Sequence, residues 1–248
     1  MEDLLGSTSC ITTSNSSEQE NRYVAAVPYQ WPYHGVLAPS NTCLVVIDMQ
    51  IDFCGKGGYM DQLGYDLTPM RAIIRPISRV LDCMRTKGYL IIHTRETYRP
   101  DLADCPPARL WRTQQAGAGI GSKVGSDGSG LLIQGEPGWD IIPELKPLEN
   151  ESVIDKPARG AFVGTSLDLI LRNKGIQNLI LCGVTTDVCV HSTMRHADDL
   201  GFECLLLEDC CAASKPSNHK AAIEMVKEEG GVFGAVADSS QLVLALES

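Results

Sequence analysis

The sequence predicts an α/β domain built on a parallel sheet with helices on both faces, and three observations carry that prediction. Runs such as Thr42-Cys-Leu-Val-Val-Ile47 and Leu179-Ile-Leu-Cys182 are apolar at every position, the pattern of strands buried on both sides. Segments of helical period alternate with these runs, which is how parallel strands are connected. The length, 248 residues, suits one large domain with a substantial core and is short for two.

Residues 1–22 are rich in Ser, Thr, Asn and Glu without periodicity and read as a disordered tail. Residues 23–40 read as an extended N-terminal arm. Tyr29, Trp31 and Tyr33 make it too apolar for free solvent, while Pro28, Pro32 and Pro39 exclude a helix or inner strand. Its aromatics are expected to be buried on the domain or on a neighbouring subunit. The domain proper covers residues 41–248. Its first strand, 42–47, ends at Asp48, and the Gly-rich turn 55–58 follows. Residues 67–87 have helical period, with Ile73, Ile77, Val80, Leu81 and Met84 on one side and Gly88 as a stop. Pro76 within that pattern marks either the true start or a break.

A second strand spans 89–93. Residues 94–138 are polar and glycine-rich, too long for a plain connection, and read as a functional insertion or lid. Strand 152–155 runs into Lys156-Pro157, and a helix over 166–174 is stopped by Gly175. The central unit is strand 179–182, a tight turn with Thr185 or Thr186 as helix N-cap, and a helix striped by Val190, Met194, Ala197 and Leu200. Strand 203–207, helix 217–229, strand 232–236 and helix 239–246 complete the chain.

Hydrophobic residues make up 44% and charged ones 21%, and the net charge of −10 speaks against nucleic-acid or anionic-membrane surfaces, which need basic patches. No apolar stretch approaches the ~20 residues that span a bilayer, and the N-terminus lacks the regions of a signal peptide. The ten cysteines are scattered, without the spacing of a disulfide framework or a zinc site. A cytoplasmic protein acting on a small molecule is expected, with no nucleic-acid or membrane partner.

In a parallel sheet, ligands sit beyond the carboxyl ends of the strands. Asp48, Lys156 and Cys189 stand there, each just after an apolar run. Cys189 falls in the first turn of a helix, where unpaired N–H groups and the dipole favour a thiolate and could hold an oxyanion. Cys43, Cys182, Cys204 and the Cys210–Cys211 pair sit within or just after element patterns, where packing explains them. Singly, Asp48 reads as a turn cap and Lys156 as a solvated charge. Together with a thiol they form a chemical unit, in which the carboxylate takes the thiol proton and the ammonium stabilises the resulting charge.

The blocks Val45-Val-Ile-Asp-Met-Gln-Ile-Asp-Phe53, Ile154-Asp-Lys-Pro157 and Gly183-Val-Thr-Thr-Asp-Val-Cys189 resemble the signatures of the isochorismatase-like cysteine hydrolase superfamily, over about residues 41–246. Among its branches, His93-Thr-Arg-Glu96, Arg99-Pro-Asp-Leu102 and Leu206-Leu-Glu-Asp-Cys-Cys211 resemble biuret amidohydrolases most, then ureidoacrylate amidohydrolases and N-carbamoyl amidases. The resemblance implies a three-layer Rossmann-like fold on a six-stranded parallel sheet, a catalytic triad of Asp48, Lys156 and Cys189, and a cis peptide between Val184 and Thr185. It further implies an oxyanion hole from the N–H groups of Thr185 and Cys189, and a homotetramer. The implied reaction is hydrolysis of biuret to allophanate and ammonia, with ureidoacrylate or an N-carbamoyl amine as the alternative substrate.

A small planar substrate would need a flat apolar wall. Phe53, just beyond Asp48, reads equally as that wall or as a core aromatic. Related nicotinamidases bind a metal through an Asp and histidines after the first strand. Residues 55–68 here contain no histidine, so neither metal nor cofactor is expected. His191, His196 and His219 lie in helix patterns and read as surface or capping residues. Isochorismatases on this fold cleave a vinyl ether without the cysteine, and the presence of Cys189 speaks against that chemistry.

Overall fold

The computed structural model describes residues 21–126 and 128–248, so nearly all of the expected tail lies outside the described residues. The apolar runs form the cores of strands β1 (Thr42–Ile47), β2 (Leu90–Glu96), β5 (Ser152–Lys156), β6 (Asn178–Val184), β7 (Glu203–Ala212) and β8 (Ala235–Ala237). They make one six-stranded sheet in the order β5-β2-β1-β6-β7-β8, parallel at every pairing. β1 and β6 are buried at every residue, as the sheet centre requires. A small antiparallel hairpin, β3 (Lys123–Val124) and β4 (Ser129–Gly130), stands apart.

The helices are α1 (Ile51–Cys54), α2 (Tyr59–Gln62), α3 (Thr68–Ala72), α4 (Ile74–Thr86), α5 (Pro107–Gln115), α6 (Leu167–Asn173), α7 (His191–Asp199), α8 (Pro216–Lys227) and α9 (Ser239–Glu247). They surround the sheet to give the expected three layers. Among the described residues, no helix is long and apolar enough to cross a membrane. The helical pattern over 67–87 divides into α3 and α4, and Pro76 falls in the first turn of α4, where its missing N–H costs nothing.

The chain runs outward from β1 through β2 to β5, then returns to the other side of β1 and continues through β6, β7 and β8. Strand order therefore reverses between β1 and β6, and the crevice at their carboxyl ends is where such folds place ligands. Gly183 makes that junction possible: its φ is 113°, and an added Cβ would stand 2.1 Å from the Ile47 carbonyl oxygen.

Three boundaries differ from the sequence reading. β2 continues through Thr94-Arg95-Glu96, and β7 continues through the Cys210–Cys211 pair. Polar residues, buried at Thr94 and Glu96 in β2 and half-buried at Glu208 and Asp209 in β7, end each apolar run without ending the strand. β8 starts later than expected because Gly231 and Gly234, at φ 103° and 127°, turn the chain there instead.

The insertion is a packed roof. Tyr98 N–H donates to Leu132 O at 2.9 Å, Gln134 N–H to Tyr98 O at 2.9 Å, and the buried Asp52 carboxylate accepts Leu132 N–H at 2.7 Å and Tyr59 N–H at 3.1 Å. The arm packs on its own chain: Val27 exchanges backbone hydrogen bonds of 2.9 and 2.8 Å with Val236, and Trp31 is wholly buried. Tyr29 donates to Glu203 at 3.1 Å, and Tyr33 is 72% exposed on this chain.

Candidate active site

Four strand ends supply the site. Asp48 follows β1 with φ 52°, a left-handed conformation that Asp tolerates better than most residues, and its amide donates to Thr94 O at 3.2 Å. Its Oδ1 accepts the Thr94 hydroxyl at 2.7 Å. Lys156 closes β5, and the register sets it directly beside Glu96 at the end of β2. Lys156 Nζ lies 2.7 Å from Asp48 Oδ2 and 3.8 Å from Glu96 Oε2, and donates to Ala158 O at 2.8 Å. The contact with Asp48 is a short charged one between two wholly buried groups.

Beyond β6 the chain crosses the cis Val184–Thr185 bond and winds through a π-turn over Thr186–Val190 into α7. Neither threonine caps this turn through its side chain. Thr185 O accepts the Val188 and Val190 amides at 3.1 and 3.2 Å, while the Thr185 and Cys189 amides donate to no acceptor outside the turn among the described residues. Thr193 fixes the turn from below, its hydroxyl donating to Cys189 O at 2.7 Å and accepting Ala161 N–H at 3.0 Å. Cys189 Sγ donates to Glu96 Oε2 at 3.5 Å, and one oxygen each of Asp48 and Glu96 lies within 4.8 Å of that sulfur.

The three residues singled out in the sequence thus meet at one point, and two that were not, Glu96 and Arg159, join them. Arg159 forms a tight ion pair with Glu96 Oε1, which also accepts the Tyr98 hydroxyl at 3.0 Å. Asp48, Glu96 and Lys156 are completely buried and Cys189 is 2% exposed, whereas the Arg159 side chain is 31% exposed. Arg159 is therefore the charged group of the cluster that faces solvent.

Burial sets the protonation states. It raises the Asp48 carboxyl above the usual range, with the Lys156 ammonium partly offsetting it. Burial also works against the Glu96 anion, but Lys156 and Arg159 together outweigh it and hold this carboxyl below its ordinary value. Two neighbouring carboxylates overcome the burial of Lys156 and keep it firmly charged. The Cys189 thiol is pushed well up by burial, against the pull of Lys156. Burial thus works against the acidity that a helix N-terminus lends a thiol. At rest the cysteine is a thiol beside two carboxylates, and it needs an internal acceptor for its proton.

Asp48, Glu96 and Cys189 are also a trio of metal-ligand types. Lys156 and Arg159 already balance their carboxylates at contact distance, so the set does not suit a metal cation. His191 proves to be buried rather than a surface residue: its Nδ1 accepts Arg195 Nε–H at 2.8 Å and its Nε2 faces Ala222 O at 3.2 Å. Phe53 is 4% exposed and meets Tyr59 edge-on, with ring centroids 6.3 Å apart.

A family model described as "Isochorismatase domain" matches residues 42–241. The chain belongs to the isochorismatase family. Within that family it is similar to the "Ureidoacrylate amidohydrolase RutB" of Azorhizobium caulinodans, at 33% identity over 207 residues, 82% of this chain and 90% of that protein. The protein of the same name from Klebsiella pneumoniae is 32% identical over 214 residues, 84% of this chain and 88% of the other. Among solved structures, a cysteine hydrolase from Pseudomonas syringae has the same fold, with a TM-score of 0.71 at 23% identity over 85% of this chain and 94% of that one. N-carbamoylsarcosine amidase from Thermoplasma acidophilum gives 0.61 at 26% identity, covering 80% and 96%.

Proposed function

We propose that this isochorismatase-family chain is a cysteine amidohydrolase that cleaves a C–N bond of a small ureido compound. The observation that carries the reading is the convergence of a thiol, two carboxylates and an ammonium at the strand-order reversal, all sealed from water. Among ureido compounds, the relatives favour a ureidoacrylate-type or N-carbamoyl substrate over biuret, to which the sequence blocks point.

In this mechanism Asp48 Oδ2 takes the Cys189 proton while Lys156 holds the charge. The thiolate attacks the ureido carbonyl, and the oxyanion rests on the N–H groups of Thr185 and Cys189. The C–N bond breaks as Asp48 returns the proton to the leaving nitrogen, releasing ammonia and leaving a thioester. Water then adds, Asp48 taking its proton, and the acid leaves as the thiol is restored. Phe53, through its edge contact with Tyr59, would form the apolar wall.

Ammonia release measured across ureidoacrylate, an N-carbamoyl amine and biuret tests the reading. Turnover of the first two above biuret is the expected result. Release from none of them would overturn it.

A further inference from the structure

We propose that Glu96 is the group that recognises the substrate's nitrogen, its carboxylate accepting an N–H of the carbamoyl group while Asp48 alone moves the proton. This rests on the amidohydrolase reading and adds to it how the site tells a ureido group from an ester or an acid.

The two carboxylates are held in different ways. Among the described residues Asp48 Oδ2 is met by Lys156 alone, which leaves it a lone pair with which to take and return a proton. Glu96 has no such freedom. Its Oε1 is filled by the Arg159 guanidinium and the Tyr98 hydroxyl. Its backbone is clamped on both sides by the side chain of Gln50, whose Oε1 accepts Glu96 N–H at 2.7 Å and whose Nε2 donates to Glu96 O at 3.1 Å. The same Nε2 donates to Trp139 O at 3.0 Å, tying the clamp to the roof. A carboxylate so fixed, between two cations, stays an anion and acts as an acceptor only.

Its free oxygen is Oε2, whose hydrogen-bond donor at rest is the Cys189 thiol at 3.5 Å. When the thiol passes its proton to Asp48, Oε2 loses that donor in a dry site and keeps only Lys156, 3.8 Å away, and a buried oxygen without a hydrogen-bond donor is costly. A carbonyl carbon joined to Sγ carries its amino nitrogen into reach of an oxygen this close to the same sulfur. An N–H there replaces the lost S–H, whereas an ester oxygen or a carboxylate would bring lone pairs against an anion. Sites built to hydrogen-bond a substrate group reject analogues lacking it far more strongly than apolar pockets do.

The test compares two acyl donors for Cys189, the best ureido compound of the panel and p-nitrophenyl acetate, whose acyl group carries no N–H. In Glu96→Gln the ratio of ureido to ester kcat/KM should fall by about 100-fold or more. The pH midpoint for alkylation of Cys189 by iodoacetamide should hold or move down, because a negative charge has left the sulfur's side. A ratio within threefold of wild type overturns the proposal. So does an upward midpoint with both substrates falling together, which would make Glu96 the base that forms the thiolate. If Glu96→Gln does not fold, Gln50→Ala, which releases the Glu96 backbone, should lower the same ratio, and an unchanged ratio there is equally fatal. Failure of the amidohydrolase reading itself shows separately, as wild-type enzyme that releases ammonia from no ureido compound.

Discussion

Replacing Lys156 by Met removes the one cation that, among the described residues, touches both carboxylates. Lys156 is completely buried, 2.7 Å from Asp48 and 3.8 Å from Glu96. Breaking a buried ion pair from one side costs roughly 3–5 kcal/mol, because the partner's charge is left uncompensated. In a domain of this size each kcal/mol moves the melting temperature by about 2–4 °C, so a loss of roughly 6–20 °C is expected at neutral pH.

Asp48 can escape that cost by taking a proton, and this fixes the pH dependence. Burial already raises its carboxyl and Lys156 opposes the rise, so the variant raises it further. A group whose folded pKa lies above its unfolded value of about 3.9 adds stability at low pH, and that stability is lost as pH rises through the folded pKa. Glu96 acts in the same direction, since part of what holds its carboxyl low is Lys156. The melting gap between variant and wild type should therefore be small near pH 4 and widen above it by up to about 1.4 kcal/mol, or about 3–6 °C, per pH unit for each carboxylate. Calorimetric melts at pH 5, 7 and 9 measure this. A gap below about 1 kcal/mol, or one that ignores pH, would describe an ordinary exposed pair and refute the buried-cluster account. Alkylation of Cys189 by iodoacetamide in the variant should shift to higher pH, because Lys156 is the main group pulling that thiol down.

Cys189→Ser should fold normally and lose nearly all ammonia release, since an alcohol at this position does not ionise at neutral pH; turnover within tenfold of wild type would remove Cys189 from the nucleophile's role. Prolonged EDTA treatment should leave activity unchanged, and a loss restored by zinc would show that the two cations do not fill the site. Deleting residues 1–22 should be nearly silent, whereas deleting 1–36 removes wholly buried Trp31 and should cost at least about 1.5–3 kcal/mol; an unchanged melting point would refute the arm's role. Light scattering on both truncations would show whether the expected tetramer depends on the arm.

Asp48, Lys156 and Cys189 were legible because each interrupts an apolar run at a strand's carboxyl end, and the parallel sheet could be read from those runs. Glu96 was hidden by the same rule. His93-Thr-Arg-Glu96 reads as the end of a strand because it is polar, yet His93, Thr94 and Glu96 are buried and β2 continues through them. Only the pairing of β2 with β5, which sets Glu96 beside Lys156, brings it into the site, and pairing is not written in either segment alone. Arg159 lies in a loop without periodicity. The helix N-terminus that carries Cys189 is visible in sequence, while the burial that raises its thiol is not.

The pairing of Val27 with Val236 has a bearing on solubility. β8, at the end of the sheet, is three residues long, and its free side is met by this short bridge from the arm. Uncovered strand edges are templates for pairing with other chains, and short edge strands and covering loops are the means by which proteins avoid it. Pro28 and Pro32, which follow the bridge, deny the arm itself the run of amides that a further strand could continue. The arm thus closes one side of the sheet without offering a new edge, and chains clipped by protease between Trp31 and the domain would be the ones to accumulate as aggregate.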